Sequence, residues 1–121
     1  MGSLTCNINI ENNNLNLRFE GFFTDDEVAE TLSEVQSAID QLKPGFVIIN
    51  DVRDFKPAGS RGLDHLRNAM KYAGNHGAKR VVRIVNKLSL GSGQFSRVGA
   101  EAAPYEQITV SSPEDAEEFL Q

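Results

Sequence analysis

Residues 55–66, "FKPAGSRGLDHL", join an apolar run to a helical pattern and set Ser60 and Arg61 at the junction. A serine hydroxyl at a helix start has two uses. It caps a free backbone N–H, a contribution of about 1 kcal/mol. It also accepts a phosphoryl group, whose charge the helix N-terminus and Arg61 would both favour. Just upstream, Asp51 and Asp54 offer two carboxylates. Without a third ligand they point to loop hydrogen bonds or a partner-binding surface before a metal. Arg83 interrupts the apolar "VVRIV" of residues 81–85. Alternation sets it on the side of Val81 and Val85, where its charge must reach water or a partner. Glu20 and Asp51, on a polar sheet face, are the expected partners. Otherwise Arg83 joins Lys79, Arg80, Lys87 and Arg97 around an anion.

"LGSGQFSRVG", residues 90–99, opens with two glycines, Gly91 and Gly93, that can expose backbone N–H groups to phosphate. No Gly-Lys-Ser/Thr follows, so it is not a Walker loop. A mobile loop over the sheet edge is expected, although "SGQFSRVGAEAA" also reads as a short helix. As a ligand or partner lid it would use Gln94, Ser96 and Arg97 as polar contacts. Enzyme chemistry finds little support. His65 and His76 are the only histidines, with no His-x-x-x-His spacing and no Ser-His-Asp set. Cys6 is the single cysteine, which excludes an internal disulfide and a cysteine-based metal cluster.

These residues need a scaffold, and the chain spells one. Residues 5–10 alternate, "ENNN" at 11–14 makes a turn, and "LNLRFE" at 15–20 alternates apolar and polar. Thr24 and Glu27 form a capping box ahead of a helix over 24–42, with Val28, Leu32, Val35, Ile39 and Leu42 on one stripe. "KPG" at 43–45 stops it, and "FVIIN" at 46–50 is a buried strand. A helix follows over 60–76, then strands at 79–85 and 106–110, then a helix capped by Ser112 with Pro113 in its first position. The order β-β-α-β-α-β-α-β-α predicts a single α/β domain over 1–121, with a mixed sheet opened by a hairpin and helices mainly on one face. Residues 1–4 are expected to be disordered or a cloning remnant.

Charge divides the chain into thirds. Residues 1–42 hold eight acids and one base, residues 43–103 eleven bases and four acids, and residues 104–121 five acids and no base. The net charge of −5 and the lack of aromatics among the bases argue against nucleic acid. No apolar run nears the ~20 residues needed to cross a membrane, and the N-terminus shows no signal-peptide core. A cytoplasmic protein is expected.

The order of elements resembles the STAS domain, which includes the bacterial anti-sigma-factor antagonists. "VIIND" at 47–51, "SRGLDHL" at 60–66 and "VSSPEDAEEFL" at 110–120 carry the resemblance, which spans about residues 5–120. It implies a regulatory module that docks on a protein and is switched at a serine pair. Here the pair's first serine falls at Ser60 and its second, the usual phosphoacceptor, at Arg61, which accepts no phosphoryl group. The chain is also similar to single-domain STAS-like proteins grouped with CRAL-TRIO folds, which keep the topology without the phosphoserine. A non-catalytic interaction module is expected, needing no cofactor. It would dock through loop 51–59 and the start of the next helix, with Asp51, Asp54, Ser60 and Arg61. The alternative is a carrier or sensor of a lipid or anionic ligand, with a basic pocket near 79–99 using Arg83, Lys87, Gln94, Ser96 and Arg97. A homodimer is a further possibility.

Overall fold

In the computed structural model, which describes residues 2–120, an antiparallel ribbon opens the chain. Strands β1 (Ser3–Asn9) and β2 (Asn14–Gly21) pair from Ser3 opposite Glu20 to Asn9 opposite Asn14. The turn between them puts Asn13 at φ 57°, a backbone region that asparagine tolerates. The ribbon begins inside the 1–4 stretch expected to be disordered; Met1 lies outside the described residues. Thr24 then starts α1 (Asp25–Ile39) with the expected capping box: its Oγ1 accepts from the Glu27 N–H at 3.2 Å, and its own N–H donates to Glu27 Oε1 at 2.9 Å.

From there strands and helices alternate: β3 (Val47–Phe55), α2 (Ser60–Asn75), β4 (Arg80–Ile84), α3 (Leu90–Ala102), β5 (Glu106–Val110) and the short α4 (Pro113–Glu117). The sheet order is β1-β2-β3-β4-β5, parallel from β2 to β5. Each crossover reaches the next strand in the same direction. Because β-α-β crossovers are right-handed, a sheet order that never reverses sends every crossover helix to one face. Leu15, Leu17, Phe19, Ile48, Val52, Val81 and Val85 turn to that face and join Val28, Leu32, Leu66, Met70, Phe95 and Val98 in the main core. On the other face Val47, Ile49, Val82 and Ile84 meet Ala116 of α4. Asn16 and Arg18 of β2 stay exposed there, so α4 covers only part of the sheet.

Two boundaries differ from the sequence reading. β3 runs on to Phe55, so Asp51 and Asp54 lie in a strand and the loop shrinks to 56–59. Residues 90–99 are no mobile loop: they lie within α3, where Gly91, Ser92, Phe95, Val98 and Gly99 are buried. Gly91 and Gly99 mark close approach, not flexibility. A Cβ on Gly91 would stand 1.7 Å from the Phe55 carbonyl oxygen. Phe95 packs with Phe19 and Phe55, at ring centroid distances of 5.3 and 4.8 Å, which anchors α3 to β2 and β3.

Candidate functional site

β3, β4 and β5 all deliver their C-terminal ends to one edge of the molecule, the edge at which open α/β sheets present ligand and partner surfaces. β3 continues there because its polar residues are paired. Asp51 and Arg53 sit two apart and so share a side of the strand. The Asp51 carboxylate accepts from Arg53 N at 3.2 Å, Nε at 3.0 Å and Nη2 at 2.7 Å. Burial alone would push this carboxyl up, but the bonds and charge of Arg53 outweigh it and hold Asp51 below the usual carboxylate range. Asp54 accepts from Arg18 Nη2 at 3.0 Å, across from β2. Among the described residues no group of three or more His, Cys, Asp or Glu side chains is placed to hold a metal ion.

Ser60 does not cap α2. Gly59 is the N-cap residue and Ser60 is the exposed first helical position. The cap comes from another helix: Asp25 Oδ1 accepts the Gly62 N–H at 3.0 Å, and Asp25 Oδ2 lies 3.4 Å from Arg61 Nε. Asp25 thus serves the first turns of two helices. The sequence hid this, because a capping carboxylate 37 positions away leaves no local spacing to read.

The expected basic pocket is not gathered in one place. Arg83 faces the helices, not the polar sheet face, and is 2% exposed. It has no ion pair with Glu20 or Asp51; its Nη1 donates to Gln107 Oε1 at 3.0 Å. Lys79 and Arg80 stand at the opposite end of β4, where Arg80 is bonded to Glu106 and to the Phe119 carbonyl. Gln94 is structural: its amide accepts from Ala58 N at 2.7 Å and donates to Ala58 O at 3.0 Å, tying the 56–59 loop to α3. Arg97 is exposed on α3 and Ser96 half-buried. Lys87 does reach the C-terminal edge, in a shallow groove with Arg18, Arg53, Asp54 and Asn86.

That groove continues past Asn86 to Phe55, Lys56, Pro57, Ser89 and Leu90 on one side and to Ser92 and Ser96 on another. Beside it, Leu88 is 94% and Leu90 77% exposed. Sequence reasoning passed over both leucines. The one available signal was their setting: two large apolar residues in "NKLSLGSG", outside any amphipathic stripe. Ser92 was also missed. Its buried Oγ donates to Val52 O at 2.9 Å and accepts from Asn86 N at 3.2 Å, fixing the groove's floor.

No family model matches the chain, and no curated protein does. Solved structures do. One is an uncharacterised protein of the DUF3478 family with a SpoIIAA-like fold from Shewanella loihica PV-4, at 17% identity over 99% of this chain and 94% of that one, with a TM-score of 0.69. Another is the anti-sigma factor antagonist SpoIIAA in its unphosphorylated form, at 14% identity over 97% and 96% of the two chains, with a TM-score of 0.62. A third is an anti-sigma factor antagonist from Mycobacterium paratuberculosis, at 15% identity over 98% and 94%, with a TM-score of 0.59. The chain has a STAS-like, SpoIIAA-like fold, and at these identities the likeness is one of fold.

Proposed function

We propose that this STAS-like domain is a non-catalytic, cytoplasmic regulatory module that docks a protein partner at the C-terminal edge of its sheet. The observation that carries the reading is the pair Leu88 and Leu90, 94% and 77% exposed beside a groove bearing Arg53, Lys56 and Lys87. Apolar side chains beside basic ones suit a partner with an apolar, acidic surface. The docking face therefore comprises loop 56–59, the start of α2 with Ser60 and Arg61, and residues 86–90. Two neighbours in fold are named for antagonism of another protein, and one of them for its unphosphorylated form. Here Arg61 stands where that family's usual phosphoacceptor falls, engaged with Asp25, so docking is constitutive.

Several observations favour docking over chemistry or carriage. Burial and Glu34 push the Cys6 thiol up, the reverse of nucleophile activation. His65 sits along α2 while His76 forms its C-cap, its Nδ1 2.9 Å from the Tyr72 carbonyl oxygen. The void between helices and sheet is about 50 Å³, against the ~300–1,000 Å³ of ordinary ligand pockets. A lipid does not fit it. Among the described residues no helix is long and apolar enough to cross a membrane.

The test is the double variant Leu88→Asp/Leu90→Asp. We expect a partner that co-purifies with the wild type under native conditions to be lost, while the unfolding midpoint is unchanged, since both side chains are in solvent. Retention of the partner by a folded double variant would exclude this face.

A further inference from the structure

We propose that the interior space at Asn50 and Arg83, between the sheet and helices α1–α3, binds one small monovalent anion of the halide class. Asn50 and Arg83 are register partners on β3 and β4, so their side chains stand side by side on the helix-covered face. They are 6% and 2% exposed. Both line the same cavity of about 50 Å³, whose wall is otherwise mostly apolar. Among the described residues, neither Arg83 Nε nor Asn50 Oδ1 has a hydrogen-bond partner.

The charge decides the ligand. A guanidinium stays protonated in a protein, and a buried charge needs a counter-charge. Arg83 has none: it belongs to no ion pair among the described residues, and its bond to Gln107 is to a neutral amide. The other polar groups at the cavity do not supply one either. Asn50 is neutral, and burial pushes the Tyr105 hydroxyl up to about 12, so it keeps its proton near neutral pH. Water would meet the hydrogen bonds and leave the charge. A monovalent anion accepts from Arg83 Nε and supplies the counter-charge, whereas sulfate or phosphate would bring a second negative charge. The space suits it, since a cavity needs only ~10–15 Å³ to hold a water.

A halide gives the Asn50 oxygen no hydrogen bond, so anion binding requires the Asn50 amide to turn half-way about its last torsion and bring its N–H to the space. Gly99 leaves room for the bonded Gln107–Arg83 pair: a Cβ there would stand 2.1 Å from Gln107 Oε1 and 2.9 Å from Arg83 Nη2.

The experiment is a titration of the full chain with sodium bromide, ionic strength held constant with sodium gluconate, together with anomalous diffraction from bromide-grown crystals. We expect the unfolding midpoint to rise with the logarithm of bromide concentration, and a bromide peak within hydrogen-bond reach of Arg83 Nε. Asn50→Asp supplies the missing charge from the chain itself, so the folded variant loses both the bromide response and the peak. A wild-type midpoint indifferent to bromide, or water alone beside Arg83, would overturn the proposal. So would a peak without any stabilisation, which marks an adventitious ion only. The wild-type measurements decide the matter even if Asn50→Asp does not fold.

Discussion

Asp25 is the residue on which the junction at 56–62 turns. Its carboxylate caps α2 through Gly62 and holds Arg61, while its place in the first turn of α1 suits that helix's positive end. Asp25→Ala is expected to cost about 1 kcal/mol in urea unfolding, with Asp25→Asn recovering most of it. Ser60→Ala, by contrast, should shift stability by less than about 0.5 kcal/mol, because Ser60 caps nothing. A loss of a full cap's worth in Ser60→Ala would restore the serine to that role. Asp51 makes a pH-dependent prediction. Its folded-state pKa lies below the ordinary carboxylate value, so its contribution is complete above about pH 4 and lost as pH falls through the lower folded value. Asp51→Asn should therefore be ~1–2 kcal/mol less stable than wild type at pH 7, and equilibrium unfolding should show the gap closing on acidification. A gap that persists in acid would remove Arg53 as the cause.

Among the elements, α3 is the one whose sequence misled, and the reason is packing. Gly91, Ser92, Gly93 and Gly99 have poor helix propensity and suggest a loop. Tertiary contact overrides it, because a bare Cα at Gly91 and Gly99 lets the helix approach the Phe55 carbonyl and the Gln107–Arg83 pair. Gly91→Ala should destabilise by about 2 kcal/mol or more through that clash. Gly93, where an added Cβ meets nothing within 4 Å, is the control. Gly93→Ala should stabilise by ~0.5–1 kcal/mol, as alanine does in an exposed helix. Thermal unfolding of the two variants, with shifts of the same sign, would contradict this account of α3. Elsewhere local signals sufficed: the Thr24–Glu27 box, the Val28–Leu32–Val35–Ile39 stripe and the Ser112–Pro113 start are all present in the structure. What remained hidden depended on contacts between distant segments. The face of Arg83 is the clearest case. Alternation grouped it correctly with Val81 and Val85, but a charge in that row argued for the open face of the sheet. Only the three-dimensional core shows the row to be covered by helices.

For the whole molecule, the monotonic strand order has a functional consequence. It gathers the crossover helices on one face and leaves one end of the sheet, with residues 53–60 and 86–90, as a continuous surface. The bases concentrated in residues 43–103 supply Arg53, Lys56 and Lys87 to that surface, and the acidic thirds on either side contribute little to it beyond Arg18. The candidate site was legible in the sequence as far as the β3–α2 junction. Its second half, Asn86 to Leu90, was not, because only the alignment of β3 and β4 brings it beside residues 53–57. The most direct measurement is photo-crosslinking in cells from a reactive side chain at position 88, with position 37 on the exposed side of α1 as control. The account predicts a discrete adduct with one heterologous protein from position 88, absent from position 37 and abolished by Lys87→Glu, a substitution at an exposed groove position. Equal labelling from both positions, or adducts with copies of this chain alone, would contradict docking of a protein partner at this edge.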